Sequence, residues 1–164
     1  MKEKTAWYNR SCILILVMML VVCGYYYSVL PEVIPIHFNE KGITDGYGPK
    51  GMIWSLPAIA FFIFLLDWFI IRAMQNTSLK TQRKWSSGMK GKSDQFILET
   101  NAHNVAQMAL LNLIVIIVFA YLLVATIQAA LTDKPGINPF ITWGLTALIF
   151  VPIIKMVLFS LRED

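Results

Sequence analysis

The sequence predicts an all-α membrane protein: four transmembrane helices with a structured loop between the first and the second. Three observations carry this. The 164-residue chain is 57% hydrophobic and 15% charged, with a mean hydropathy of +0.60; soluble domains carry about a quarter charged residues. It contains four long apolar runs, and its Lys and Arg residues collect on one side of them. Such a composition excludes a disordered chain. It also excludes an ordinary soluble enzyme, because a chain this small has too little interior to hide so much apolar surface. One membrane domain over residues 1–164 is expected.

The runs are 11–30, 52–71, 106–131 and 139–161. Each is long enough to cross about 30 Å of hydrocarbon. The first and third carry no charge; the second carries Asp67 and the fourth Lys155. The runs are continuously apolar and do not alternate, so helices rather than strands are expected. Pro57 and Pro152 fall inside the second and fourth, where each can kink its helix.

Orientation follows from the basic residues. Lys2, Lys4, Arg10, Arg72, Lys80, Arg83, Lys84, Lys90, Lys92 and Arg162 fall on one side, and Lys41, Lys50 and Lys134 on the other. The richer side is cytoplasmic by the positive-inside rule. Both termini are therefore expected inside the cell and the loop 31–51 outside. Trp7, Tyr8 and Trp68 suit the inner interface, and Tyr25, Tyr26, Tyr27, Trp54 and Trp143 the outer one. The cysteines, Cys12 and Cys23, both lie in the first run, 11 residues or roughly 16 Å apart on a helix, too far to be bridged. They read as small apolar helix residues. Cys23 lies in a string like a lipoprotein cleavage box, but Val22 stands where that box needs a small residue.

The first half of the polar connection 72–104 is basic and contains Ser and Gly, in the stretch Lys80-Thr81-Gln82-Arg83-Lys84-Trp85-Ser86-Ser87-Gly88. It reads as a topology signal lying on anionic lipid, or as a docking site for a cytoplasmic partner. From Ser93 the residues have helix-start character, so a helix is expected there that runs on into the third span. His103, with Asn101, Asn104 and Gln107, would then form a polar helix end at the headgroups.

The most informative stretch is the loop 31–51. Pro31 ends the first helix, and Pro35 keeps Ile34 extended. Gly42, Gly46 and Gly48 permit positive φ, and Asp45-Gly46 reads as a turn pair. Ile34, Ile36, Phe38 and Tyr47 are side chains worth burying. A shaped loop folded back over the outer surface is expected.

The string Pro35-x-His37-Phe38-Asn39, followed by Gly42-x-x-Asp45-Gly46-Tyr47-Gly48-x-Lys50, resembles the signature of a small bacterial membrane domain of unknown function. That domain also stands at the start of SdpI-type toxin-immunity proteins. The resemblance covers roughly residues 11–71; the last two spans match only as hydrophobic helices, and the longer immunity proteins carry further spans. It implies a bacterial plasma-membrane protein that protects its host against a membrane-active peptide. Some relatives also hold a cytoplasmic repressor at the membrane.

The chemistry of the loop leaves several readings. His37 and Asp45 are candidate metal ligands, with Asn39, Glu40 or Glu32 as a third, but no compact zinc-type spacing is present, and no metal or cofactor is expected. Alternatively, His37 bonds the loop backbone and Asp45 closes an Asx-turn, or the loop contacts an outside ligand directly. The recognition candidates are Pro35, His37, Asn39, Gly42, Asp45, Gly46, Tyr47 and Lys50. No Ser-Gly elbow, HExxH or phosphate loop occurs, so no enzyme is expected. Asp67 and Lys155 lie at similar depths near the cytoplasmic ends of their spans and are expected to pair or to share a wet crevice.

These readings converge on a non-enzymatic membrane protein, with the lipid bilayer as its surroundings, a peptide toxin outside as candidate partner and no nucleic-acid role. Alternatives are a signalling protein that sequesters a cytoplasmic regulator, and an intramembrane enzyme or transporter subunit using Asp67 and Lys155.

Overall fold

A computed structural model describes residues 2–85, 91–132 and 136–162, with Lys2 and Trp85 described by backbone alone. Among the described residues four helical segments are long and apolar enough to span a bilayer, and the chain is a multi-pass membrane protein. The basic residue Lys90, the stretch 86–88 and Lys134 lie outside the described residues.

Helix α1 runs Lys2–Tyr27 and starts well before the first apolar run. Its end is closed by the Tyr26 carbonyl, which accepts from the backbone N–H of Val29 and of Leu30, both at 3.0 Å. Pro31 follows. Helix α2, Ser55–Asn76, is entered through a 3-10 turn at Lys50–Trp54. Pro57 therefore falls in its first turn, where a missing N–H costs nothing. A short helix α3, Leu79–Trp85, lies in the basic connection.

Helix α4, Asp94–Leu131, begins where the sequence marks a start: the Ser93 hydroxyl accepts from the Phe96 amide at 3.2 Å. Its 38 residues amount to roughly 57 Å, well beyond the hydrocarbon thickness. Helix α4 is the axis of the bundle and packs against α1, α2 and the last span. The core at the junction of α1, α2 and α4 includes Cys12, Leu16, Ala60, Phe64, Leu113 and Ile116. Both cysteines are free and buried.

The fourth span is split into α5, Pro139–Leu148, and α6, Phe150–Ser160. The break at Ile149 sits just before Pro152, whose ring displaces the carbonyl four residues back. Among the described side chains of this span only Pro152 is buried; the rest of its apolar surface, Phe150 and Leu158 included, is left for lipid. Its far end is tied to α4. Arg162 bonds Glu99 at 2.5 Å and lies 3.9 Å over the Phe159 ring, and His103 stacks on that ring at 4.0 Å.

The connection between α1 and α2 contains β structure. Strands β1, Val33–Phe38, and β2, Thr44–Pro49, form an antiparallel hairpin. Its turn is made by Asn39. The Asn39 carboxamide oxygen accepts from Lys41 N at 2.9 Å and Ile43 N at 3.1 Å, and the Asn39 carbonyl from Gly42 N at 2.8 Å. Asp45-Gly46, read as the turn pair, lies instead within β2. Asn39→Ala removes two side-chain hydrogen bonds from an exposed turn and is expected to cost about 1–2 kcal/mol. Thermal unfolding in detergent measures this, with faster hydrogen exchange at Ile43 as the local sign.

Candidate ligand-recognition site

The hairpin is fixed at both ends. At its base, Ile34 is 1% exposed and belongs to the main core with Leu30 and Ile53. Lys50 bonds Glu32 at 2.8 Å and lies 5.2 Å from the Tyr27 ring centroid, so the strand ends are drawn together beside α1. At its tip, the hairpin reaches the connection between α4 and α5. The Gly42 carbonyl accepts from Ile137 N at 2.8 Å, Ile43 bridges Gly136, and Trp143 Nε1 donates to the Glu40 carbonyl at 3.4 Å.

The motif glycines have different tasks. Gly42 has φ +77°, and a Cβ there would lie 2.1 Å from the Ile137 carbonyl oxygen. Only glycine allows both this backbone and this approach. Gly46 and Gly48, expected to supply positive φ, are instead strand residues; Gly42 and Gly91 are the positive-φ positions among the described residues. Gly46 is paired with His37, and a Cβ there would stand 2.9 Å from the His37 Cβ. Its bare backbone is what seats the imidazole.

His37 and Asp45 meet across the hairpin: His37 Nδ1 bonds a carboxylate oxygen of Asp45. The expected Asx-turn is therefore closed by Asn39 and not by Asp45, because the turn lies earlier in the chain. The His37 and Asp45 side chains are 70% and 43% exposed. Among the described residues no group of three His, Cys, Asp or Glu side chains could hold a metal ion.

A cavity of about 380 Å³ opens between hairpin and α5. His37, Phe38, Asn39, Glu40 and Gly42 line it from the hairpin; Ile137, Pro139, Thr142 and Trp143 line it from the other half of the chain. Trp143 remains 61% exposed. A second cavity, about 180 Å³, lies under β1 and includes Pro35, Ile53 and Thr126. Of the other motif residues, Pro35 is buried and Tyr47 is 56% exposed.

The hairpin wall of this cavity lies in a stretch that a family model matches. Residues 14–61 match the family model of a domain of unknown function, DUF1648. The matched stretch holds the second half of α1, the hairpin and the first turns of α2. It stops before α4 and α5, which supply the far wall of the cavity. No curated protein and no solved structure matches the chain.

Trp143 and Thr142 are the site residues that sequence reasoning missed. Asn138-Pro139 was the available signal: the Asn138 side chain accepts from Phe140 N and Ile141 N, with Pro139 in the first turn. That fixes where α5 begins, and so which of its residues stand near the start.

Asp67 and Lys155 are not brought together. Asp67, partly buried between Phe64 and Ile71 on α2, lies within electrostatic reach of Cys12 on α1. Lys155 is exposed on α6, beside His103 of α4. No ion pair joins them among the described residues. Similar depth does not place two side chains on facing helices, and α6 packs mainly on α4.

Proposed function

We propose that the protein is a non-enzymatic protection factor of a bacterial plasma membrane. Its hairpin end faces outward and captures or excludes a membrane-active peptide. The observation that carries this reading is the shared cavity: motif residues of the first connection and Trp143 of the last span form one concave surface at one end of the bundle. A pre-formed concave site bordered by an exposed aromatic side chain and a few polar groups suits ligand recognition. The charge bias of the connections supports the orientation, since the hairpin stands at the end poorer in Lys and Arg. A peptide lying at the bilayer surface would meet this end, with Phe140 and Trp143 as apolar contacts, 86% and 61% exposed.

Deleting the gene and challenging the cells with membrane-active peptides tests the proposal. Deletion is expected to sensitise cells to at least one peptide, the intact gene to restore resistance, and Trp143→Ala to insert normally without restoring it. Equal sensitivity of deleted and complemented cells across the peptide panel would refute the reading, as would full protection by Trp143→Ala.

A further inference from the structure

The donors and acceptors that line the cavity select the chemistry of what enters it. The carboxylate of Asp45 is an acceptor only. In the neutral imidazole of His37 the ring proton therefore sits on Nδ1, facing Asp45, and Nε2 is left with a lone pair. The other side-chain donors of the wall are largely engaged. Trp143 Nε1 donates to the Glu40 carbonyl, and the Thr142 hydroxyl donates to the Asn138 carbonyl at 3.0 Å. The first amides of α5, which would otherwise attract an anion, donate to the Asn138 side chain at 3.0 and 3.3 Å. Among the described residues of the wall, the amide nitrogen of Asn39 is the side-chain donor still unengaged.

Acceptors remain in excess: His37 Nε2, the lone pairs of Thr142 Oγ1, and the carboxylate of Glu40. The face of the Trp143 indole adds a surface that attracts cations. Among the described residues lining the cavity none carries a positive side chain. We propose that this cavity binds a primary ammonium group, the amino end or a lysine side chain of a cationic peptide, with His37 Nε2 and Glu40 as acceptors and Trp143 beneath the charge. The inference rests on the peptide-recognition reading and gives that ligand its chemical class. Asp45 acts here as a positioning residue, because it sets which ring nitrogen of His37 carries the proton.

The test uses the full chain in phosphatidylcholine vesicles, with ethylammonium chloride as the probe. Imidazole nitrogens are followed by nitrogen NMR, with His37 assigned by difference from His37→Gln. A saturable shift of His37 Nε2 is expected with ethylammonium, and none with sodium acetate at equal ionic strength. Asp45→Asn separates the tautomer from the fold. A carboxamide can donate to Nδ1, which moves the ring proton to Nε2 and turns the acceptor into a donor. Ethylammonium binding should then weaken by about tenfold or more, with unfolding unchanged to within a few degrees. Glu40→Gln should weaken it without altering the tautomer.

Acetate shifting Nε2 in place of ethylammonium would overturn the proposal, as would ethylammonium binding unaffected by both Asp45→Asn and Glu40→Gln. Protection of cells by a protein that fails to bind ethylammonium would refute this inference and leave the protective role standing. Binding without protection would do the reverse.

Discussion

Gly42→Ala is expected to release the hairpin tip from the α4–α5 connection and to destabilise the protein by about 3 kcal/mol or more. Two costs add. The residue has φ +77°, where a Cβ costs roughly 1–2 kcal/mol. The new Cβ would also stand 2.1 Å from the Ile137 carbonyl oxygen, a separation that only movement of the connection or the turn can relieve. The hydrogen bond from Ile137 N to the Gly42 carbonyl would then be lost. Exchange of the Ile137 amide should accelerate on the order of a hundredfold, since every 1.4 kcal/mol is about a factor of ten. Gly144→Ala supplies the control. Its position in α5 has nothing within 4 Å of an added Cβ, and a helical Gly→Ala change is expected to stabilise by roughly 0.5–1 kcal/mol. If both variants unfold alike, Gly42 is not a docking residue.

Ile34→Ala tests the other end of the hairpin. Ile34 is 1% exposed and lies in the core with Leu30, Ile53 and the α1–α2–α4 junction. Truncating it leaves a hole beside the existing 180 Å³ cavity under β1, which it already lines. A loss of about 2–4 kcal/mol is expected. Val33→Ala, at a neighbouring position that is 59% exposed, should stay within about 0.5 kcal/mol. Thermal unfolding of the pair in one detergent decides the matter. Equal small losses would mean that the strand is not anchored in the bundle.

These two positions also show what could be read from the sequence. The four spans were legible because an apolar run of twenty or more residues with at most one charge has few physical alternatives, and the start of α4 because Ser93 is followed by a helix-forming pattern. The loop was recognisably shaped, yet its strands were not. Gly46 and Gly48 are poor strand residues, and Pro35 interrupts β1 without an N–H to donate. What keeps them extended lies far away in sequence: Ile137 holds Gly42, and Trp143 reaches Glu40 across 103 positions. The same distance hid the far wall of the cavity. Trp143 looked like an interfacial aromatic, and nothing local marks it as a neighbour of the motif.

Helix order was the other blind spot. Charge depth along a span follows from counting residues, but which helices are neighbours depends on packing. Asp67 lies within electrostatic reach of Cys12 on α1, while Lys155 lies on the span whose main helix contacts are with α4. The small residues Ala60 and Ala109, both 0% exposed, allow close approach in two separate clusters of the bundle, and α4 is the shared partner of α1 and α2.

Docking of the hairpin on the α4–α5 connection joins the motif to Trp143 and forms the cavity between them. Solid-state NMR of the protein in lipid bilayers, labelled to correlate the Gly42 carbonyl carbon with the Ile137 amide nitrogen, tests that docking most directly. The structure places the Gly42 carbonyl oxygen 2.8 Å from that nitrogen, so a strong short-mixing cross-peak is predicted, and it should vanish in Gly42→Ala. Resolved signals from both residues with no cross-peak between them would contradict the account.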